Sequence, residues 1–212
     1  MSIETEYCRK EELANAVTHG AGLLCAVVGA AVVVGVSIRH GGAWEVSGCV
    51  LYAVTLVAVY AASTLSHLFH EPRLRHAMRT ADQAAIYLFI AGSFAPIALV
   101  WLHSGLWWVL HVAMWGVALV GFHSKVFHTH NVTHGSVSGL LYLMMGWIPI
   151  LVGWPLVKSI PLGLTFWLIA GGLCYTLGML FFYFDRRVRY FHAAWHTIVA
   201  AGSLCHYVGI LL

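Results

Sequence analysis

Charge is scarce in this chain. Asp, Glu, Lys and Arg make up 9% of its 212 residues, against about a quarter in ordinary soluble domains. That scarcity excludes a water-soluble globular protein. The 11 basic and 8 acidic residues leave a formal charge of only +3. The basic residues fall in connections between apolar runs, so they speak of membrane orientation and not of nucleic acid. Cysteine is sparse and unpatterned. Cys8, Cys25, Cys49, Cys174 and Cys205 are widely spaced, form no CxxC, and read as small buried apolar residues. No soluble domain, low-complexity tail, long linker or internal repeat is visible. No cleavable signal peptide is expected, because the first apolar run lacks a convincing cleavage site and further runs follow it.

What the chain does have is apolar length. Hydrophobic residues make up 60% of it, and the mean hydropathy is +0.82. Unbroken runs lie near 13–38, 44–70, 80–102, 106–123, 132–153, 162–184 and 191–212. Each is close to the ~20 residues that cross a bilayer as a helix. The expectation is an all-α integral membrane protein: one seven-transmembrane bundle over residues 1–212, with 1–12 as a short cytoplasmic segment. Pro96 and Pro149 are expected to kink or end their helices. Gly135 and Gly139 form a GxxxG that implies close packing and nothing more.

Short connections make neighbouring spans antiparallel, so alternate connections share a side. One side then holds nine basic residues (Arg9, Lys10, Arg73, Arg75, Arg79, Lys125, Arg186, Arg187 and Arg189) and the other holds Arg39 and Lys158. The positive-inside rule places the N-terminus in the cytoplasm and the C-terminus outside. Trp44, Trp101, Trp107, Trp108 and Trp154 fall at expected outer ends, as an aromatic belt would.

Against this apolar background, ionisable groups inside spans are functional suspects. Ser63-Thr64-Leu65-Ser66-His67 and His192-Ala193-Ala194-Trp195-His196 each place two polar groups one helical turn apart on one face. The topology puts Ser63 and His67 near the inner end of span 2, Asp82 in the first turn of span 3, and His192 and His196 in the first two turns of span 7. All five fall within roughly 10 Å of one surface. Three neutral imidazoles suit Zn2+, with a fourth position open for water. Asp82 is the only acidic side chain this reading sets beside them, as general base or orienter of that water. Ser63 could hydrogen-bond the water or a substrate oxygen.

Each residue also has a plainer use. His67 could be an interfacial histidine, and His192 and His196 could face an aqueous connection. Asp82 could complement the positive end of helix 3. Ser63 could return its hydroxyl to the i−4 carbonyl. Their shared depth is what sets them apart. A rival cluster, His123, His128, His130 and His134, falls in a stretch expected to be exposed with Lys125. Glu12 and His19 open span 1, and Asn15 and His19 share a face as structural support. His206, roughly 15 Å deeper than His196, is expected to hydrogen-bond within the bundle.

Four stretches taken together carry a resemblance: Glu11 to Gly20 (EELANAVTHG), Ser63 to His67, Asp82 to Pro96 (DQAAIYLFIAGSFAP) and Phe191 to His206 (FHAAWHTIVAAGSLCH). In this order they resemble the hemolysin III family, bacterial relatives of the adiponectin and progestin receptors, over about Glu11 to Leu212. Gln83 departs from a frequent His in relatives and touches only a contact near the site. The resemblance implies a seven-helix bundle with zinc on His67, His192 and His196, Asp82 and Ser63 beside the metal's water, and residence in the bacterial plasma membrane. It implies membrane lipid as partner and two activities: a role in membrane homeostasis or cytolysis, and hydrolysis of a ceramide-like lipid amide.

Overall fold

The computed structural model describes residues 3–101, 105–128, 136–152 and 160–212. Among these residues the chain forms seven helices: α1 (Ile3–His40), α2 (Ala43–Leu68), α3 (Pro72–Trp101), α4 (Leu106–His128), α5 (Ser136–Val152), α6 (Leu162–Phe184) and α7 (Phe191–Leu211). Six are long and apolar enough to cross a bilayer, while the apolar part of α5, Ser138–Leu151, is shorter. The molecule is a multi-pass membrane protein. Only helices satisfy their own backbone polar groups in hydrocarbon without closing a barrel.

Helix ends shift from the sequence expectation where local chemistry is stronger than hydropathy. The connection expected over Glu71 to Arg79 is helical. Pro72 occupies the first helical position, where its missing N–H costs nothing. The Glu71 carboxylate accepts hydrogen bonds from the backbone N–H of Arg73 (3.1 Å) and Leu74 (2.7 Å), capping the helix. Asp82 therefore lies ten residues beyond Pro72 and not in the first turn. It is too far along to complement the positive helix end. The helix α1 runs back to Ile3, through most of the segment expected to precede the first span. Likewise α4 continues to His128, past the expected end at 123. Lys125, expected in an exposed connection, is buried and donates to Gln83 Oε1 at 3.0 Å.

Helix α3 is shared by two apolar cores. On one side Tyr87, Phe94 and Ile97 pack with Met114, Met145 and Leu164 of α4, α5 and α6. On the other, Ala85 and Phe89 pack with Tyr52, Leu56 and Tyr60 of α2 and Val33 of α1. The approach of α2 to α3 is close: a Cβ on Gly48 would stand 2.7 Å from Pro96 Cα. Pro96 does not end its helix, which continues to Trp101. Outward faces carry exposed Leu24, Val28, Val120, Leu151 and Leu204, as lipid contact requires.

Deep in the bundle Ser203 ties three helices together. Its hydroxyl donates to the Val199 carbonyl (3.1 Å), and the hydroxyls of Tyr60 and Tyr175 each lie 3.1 Å from it. One donor and two lone pairs are thereby all used. At one end of the bundle, Glu11 pairs with Arg189 (3.1 Å) and Glu12 with Arg75 and Arg79. These pairs gather the starts of α1 and α3 and the α6–α7 turn. Trp44 and Trp108, 5.6 Å apart edge-on, mark the starts of α2 and α4 at the other end.

Candidate metal centre

The last turn of α2 and the first two turns of α7 meet at the basic end of the bundle. Helical spacing places His192 and His196 on one face of α7, with ring centroids 4.5 Å apart. His67 comes from α2, 5.2 Å from His192 and 5.1 Å from His196. One ring nitrogen from each of the three lies within 4.8 Å of the others. The three histidines singled out in the sequence are brought together, and the grouping can hold a metal ion.

The orientation of the rings supports that use. His67 Nδ1 is 2.8 Å from Glu12 Oε2 and His192 Nδ1 is 2.7 Å from Asp185 Oδ2. Each carboxylate accepts the Nδ1 proton, which leaves the Nε2 lone pair of both rings free as a ligand. Metal-binding histidines are held this way by a carboxylate or carbonyl on the far nitrogen. His196 is 1% exposed and both its nitrogens lack a hydrogen-bond partner among the described residues. Burying an imidazole with two unsatisfied nitrogens costs free energy, and a metal would take one of them. The donor set of three imidazoles without cysteine fits zinc with an open coordination position.

Neither carboxylate partner was assigned this part from the sequence. From the sequence Glu12 only opens span 1, and Asp185 falls between the apolar runs 162–184 and 191–212. Glu12 lies on another helix from His67, and Asp185, though near His192 in sequence, reaches it across the α6–α7 turn, so no spacing rule within a helix signals either. Glu12 also holds Arg75 and, at 3.4 Å, Arg79, which links α1, α2 and α3 around His67. Asp185 is delivered by a tight turn in which Arg187 and Val188 both donate to the Phe184 carbonyl (2.9 and 3.1 Å). Tyr190 closes that turn in the left-handed conformation (φ 60°), a strained choice for a non-glycine residue.

Asp82 and Ser63 flank the cluster. Asp82 borders the same cavity as His67 and His192, and its carboxyl lies beside Ser63. Ser63 is fully buried, and its hydroxyl is placed toward that carboxyl. It does not return to the i−4 carbonyl, whereas its neighbour Thr64 does, at 2.7 Å from the Tyr60 carbonyl. Of the rival cluster, His130 and His134 lie outside the described residues. His123 is exposed and packs against Phe127 at 4.7 Å. His206 accepts its expected place in the bundle, with Nε2 3.3 Å from the Leu168 carbonyl.

Two cavities meet beside the histidines. A polar one of about 610 Å³ opens at the basic end, bordered by Glu12, His67, Arg79, Asp82, Asp185 and His192. An apolar one of about 170 Å³ runs between α3, α5, α6 and α7, past Phe89, Phe94, Met114 and Leu168. Ile86, Tyr142, Met179 and Trp195 are walls of both. An apolar group in the second cavity would thus present its polar end toward the histidines.

The family model described as haemolysin-III related matches residues 7–207. Hemolysin-3 of Bacillus cereus is 33% identical over 202 residues, covering 95% of this chain and 91% of that protein. The hemolysin-3 homolog of Bacillus subtilis (strain 168) is 32% identical over 95% of this chain and 93% of its own. The human monocyte to macrophage differentiation factor is 30% identical over 94% of this chain and 83% of its own. No solved structure matches the chain. With the match running from the first helix to the last, and with all four motif stretches inside it, the chain belongs to the haemolysin III family.

Proposed function

We propose that this protein is a zinc-dependent intramembrane hydrolase that cleaves an amide or ester in a lipid, in the manner of a ceramide-like substrate. The observation that carries the reading is the junction of an apolar cavity with a polar one at a three-histidine cluster. A metal that merely stapled helices would need neither cavity.

His67, His192 and His196 would hold the ion, with Glu12 and Asp185 orienting two of the rings. Zinc so bound supplies Lewis acidity that activates water near neutral pH. The remaining work falls to the chain. The apolar cavity takes the hydrocarbon part of the lipid and excludes water from it. Asp82 accepts the proton of the attacking water and returns it to the leaving nitrogen or oxygen, the usual exchange of a general base and acid. Ser63, whose hydroxyl lies beside the Asp82 carboxyl, donates a hydrogen bond to the scissile carbonyl oxygen.

A second reading has an observation of its own. The carboxylate pairs join α1 to α2 and α3, and the α6–α7 turn to α7. In a non-enzymatic protein of membrane homeostasis or lysis, zinc would add a clasp between α2 and α7. The names of the two Bacillus relatives speak for lysis. A lytic pore needs a polar path across the membrane, and most of the charged residues here gather at one end. Purified protein assayed for zinc content and for hydrolysis of a panel of short-chain ceramides and acyl esters separates the readings. Hydrolysis that chelation abolishes and zinc restores is expected. Full zinc loading with no turnover across the panel leaves the clasp.

A further inference from the structure

The three candidate ligands are not equally supported. His67 and His192 each have a carboxylate on Nδ1, but His196 has none. A neutral imidazole that gives one nitrogen to a metal carries a proton on the other. For His196 that proton is buried, and left without an acceptor it costs free energy.

The nearest ring to His196 belongs to α1. His19 meets it edge-on with centroids 3.7 Å apart and a 74° angle between planes, closer than any contact among the three ligands. His19 is buried, and neither of its nitrogens has a hydrogen-bond partner among the described residues. Its ring also stacks on Tyr60, at 5.1 Å. Tyr60 is itself anchored to Ser203 on α7. One turn before His19, the buried Asn15 Oδ1 also lacks a donor, and residues i and i+4 share a helix face.

We propose that His19 is a positioning residue for the metal centre: with the ion bound, a turn of its ring out of the present edge-on contact would let it accept the outer N–H of His196 and give its own N–H to Asn15 Oδ1. This inference rests on the three-histidine metal site described above. The direction of the chain follows from the donors and acceptors available. A metal occupies the lone pair of His196, so His196 can only donate. Asn15 Oδ1 can only accept. A neutral imidazole has one acceptor and one donor nitrogen, so His19 joins them with nothing left over. So aligned, the single chain would satisfy the remaining nitrogen of His196, both nitrogens of His19 and the Asn15 oxygen, all of which are without a partner among the described residues. It also gives His196 the fixed tautomer and orientation that Glu12 and Asp185 give the other two ligands.

The test compares wild type with His19→Phe, His19→Gln and Asn15→Leu in detergent. Zinc affinity is read by competition with a chromophoric chelator, and site geometry by the visible absorption of the cobalt-loaded protein. Phe keeps a ring against Tyr60 and loses both nitrogens. It is expected to weaken zinc by ~10–100-fold, the usual loss when an outer partner of a ligand is removed, and to shift the cobalt band. Gln can accept and donate at similar reach and is expected to restore most of the affinity and the wild-type band. Asn15→Leu breaks the far link and is expected to weaken zinc less than Phe does. Should His19→Phe fail to fold, the Gln and Asn15→Leu variants decide: cobalt bands and affinities identical to wild type in Asn15→Leu, together with no zinc binding in Gln, overturn the chain. Wild-type affinity and band in His19→Phe also overturn it. A wild-type protein that binds no zinc removes both this inference and the hydrolase. Zinc binding that depends on His19 without lipid turnover removes the hydrolase alone.

Discussion

His67, His192 and His196 lie within reach of one ion, and they reach it from helices distant in sequence. Replacing any one with Ala leaves two ligands and is expected to lower zinc content from about one per chain to a small fraction, measured by metal analysis after gel filtration. Replacing His130 and His134 together is expected to leave zinc content unchanged. If only that pair mattered, the site would be elsewhere. Asp82 calls for a different readout, because it borders the cavity without belonging to the ligand group. Asp82→Asn keeps size and one acceptor oxygen but loses basicity. Zinc is expected to stay, and lipid hydrolysis is expected to fall by ~10²–10⁴-fold. Loss of zinc in this variant, with no turnover in wild type to lose, would make Asp82 part of the clasp instead.

Helices in this bundle are located by a few small or polar residues more than by bulk hydrophobicity, since lipid is as apolar as their surfaces. Gly48 is one such point: an added Cβ meets the α3 backbone at Pro96, which has no rotamer to yield. Gly48→Ala is expected to cost about 1–3 kcal/mol by overpacking, seen as a lower melting temperature in detergent. Ser203 is another. Removing its hydroxyl strands the hydroxyls of Tyr60 and Tyr175 in the interior. Ser203→Ala is expected to cost about 1–3 kcal/mol, and Ser203→Cys less, checked by the same melt. A melting temperature unchanged in Ser203→Ala would show that the tyrosines find other partners. At α7 the left-handed Tyr190 stores strain of about 1–2 kcal/mol. It sits in the turn that carries Asp185 to His192, so the strain is placed where the metal site needs a sharp reversal.

At the scale of the whole molecule, the ion pairs of Glu11 and Glu12 show that the starts of α1 and α3 and the α6–α7 turn share one end. From the nine-to-two charge asymmetry of the sequence, that end is expected to face the cytoplasm. A reporter fused after Leu212 is therefore expected to read the non-cytoplasmic side. A cytoplasmic signal there would mean that α5, the shortest apolar helix, does not cross.

Membrane residence, the helical class and the positions of α2, α6 and α7 were legible in the sequence, because long apolar runs have one stable answer in a bilayer. So was the closeness of His67, His192 and His196, since i, i+4 spacing on a helix is a local property and antiparallel spans bring the end of α2 level with the start of α7. The start of α3 was misplaced. Glu71-Pro72 is a helix-start signal that hydropathy outweighed, and Asp82 consequently moved out of the first turn. The carboxylates on the ligands and the ring behind His196 were beyond local reading. Glu12 sits 55 residues from His67. His19 and His196 sit at opposite ends of the chain, and nothing in either segment reports which face of α1 turns toward α7. Spacing within a helix is determined by the chain alone. Rotation of one helix against another is decided by packing, by which small residues let backbones approach and which buried polar atoms find partners.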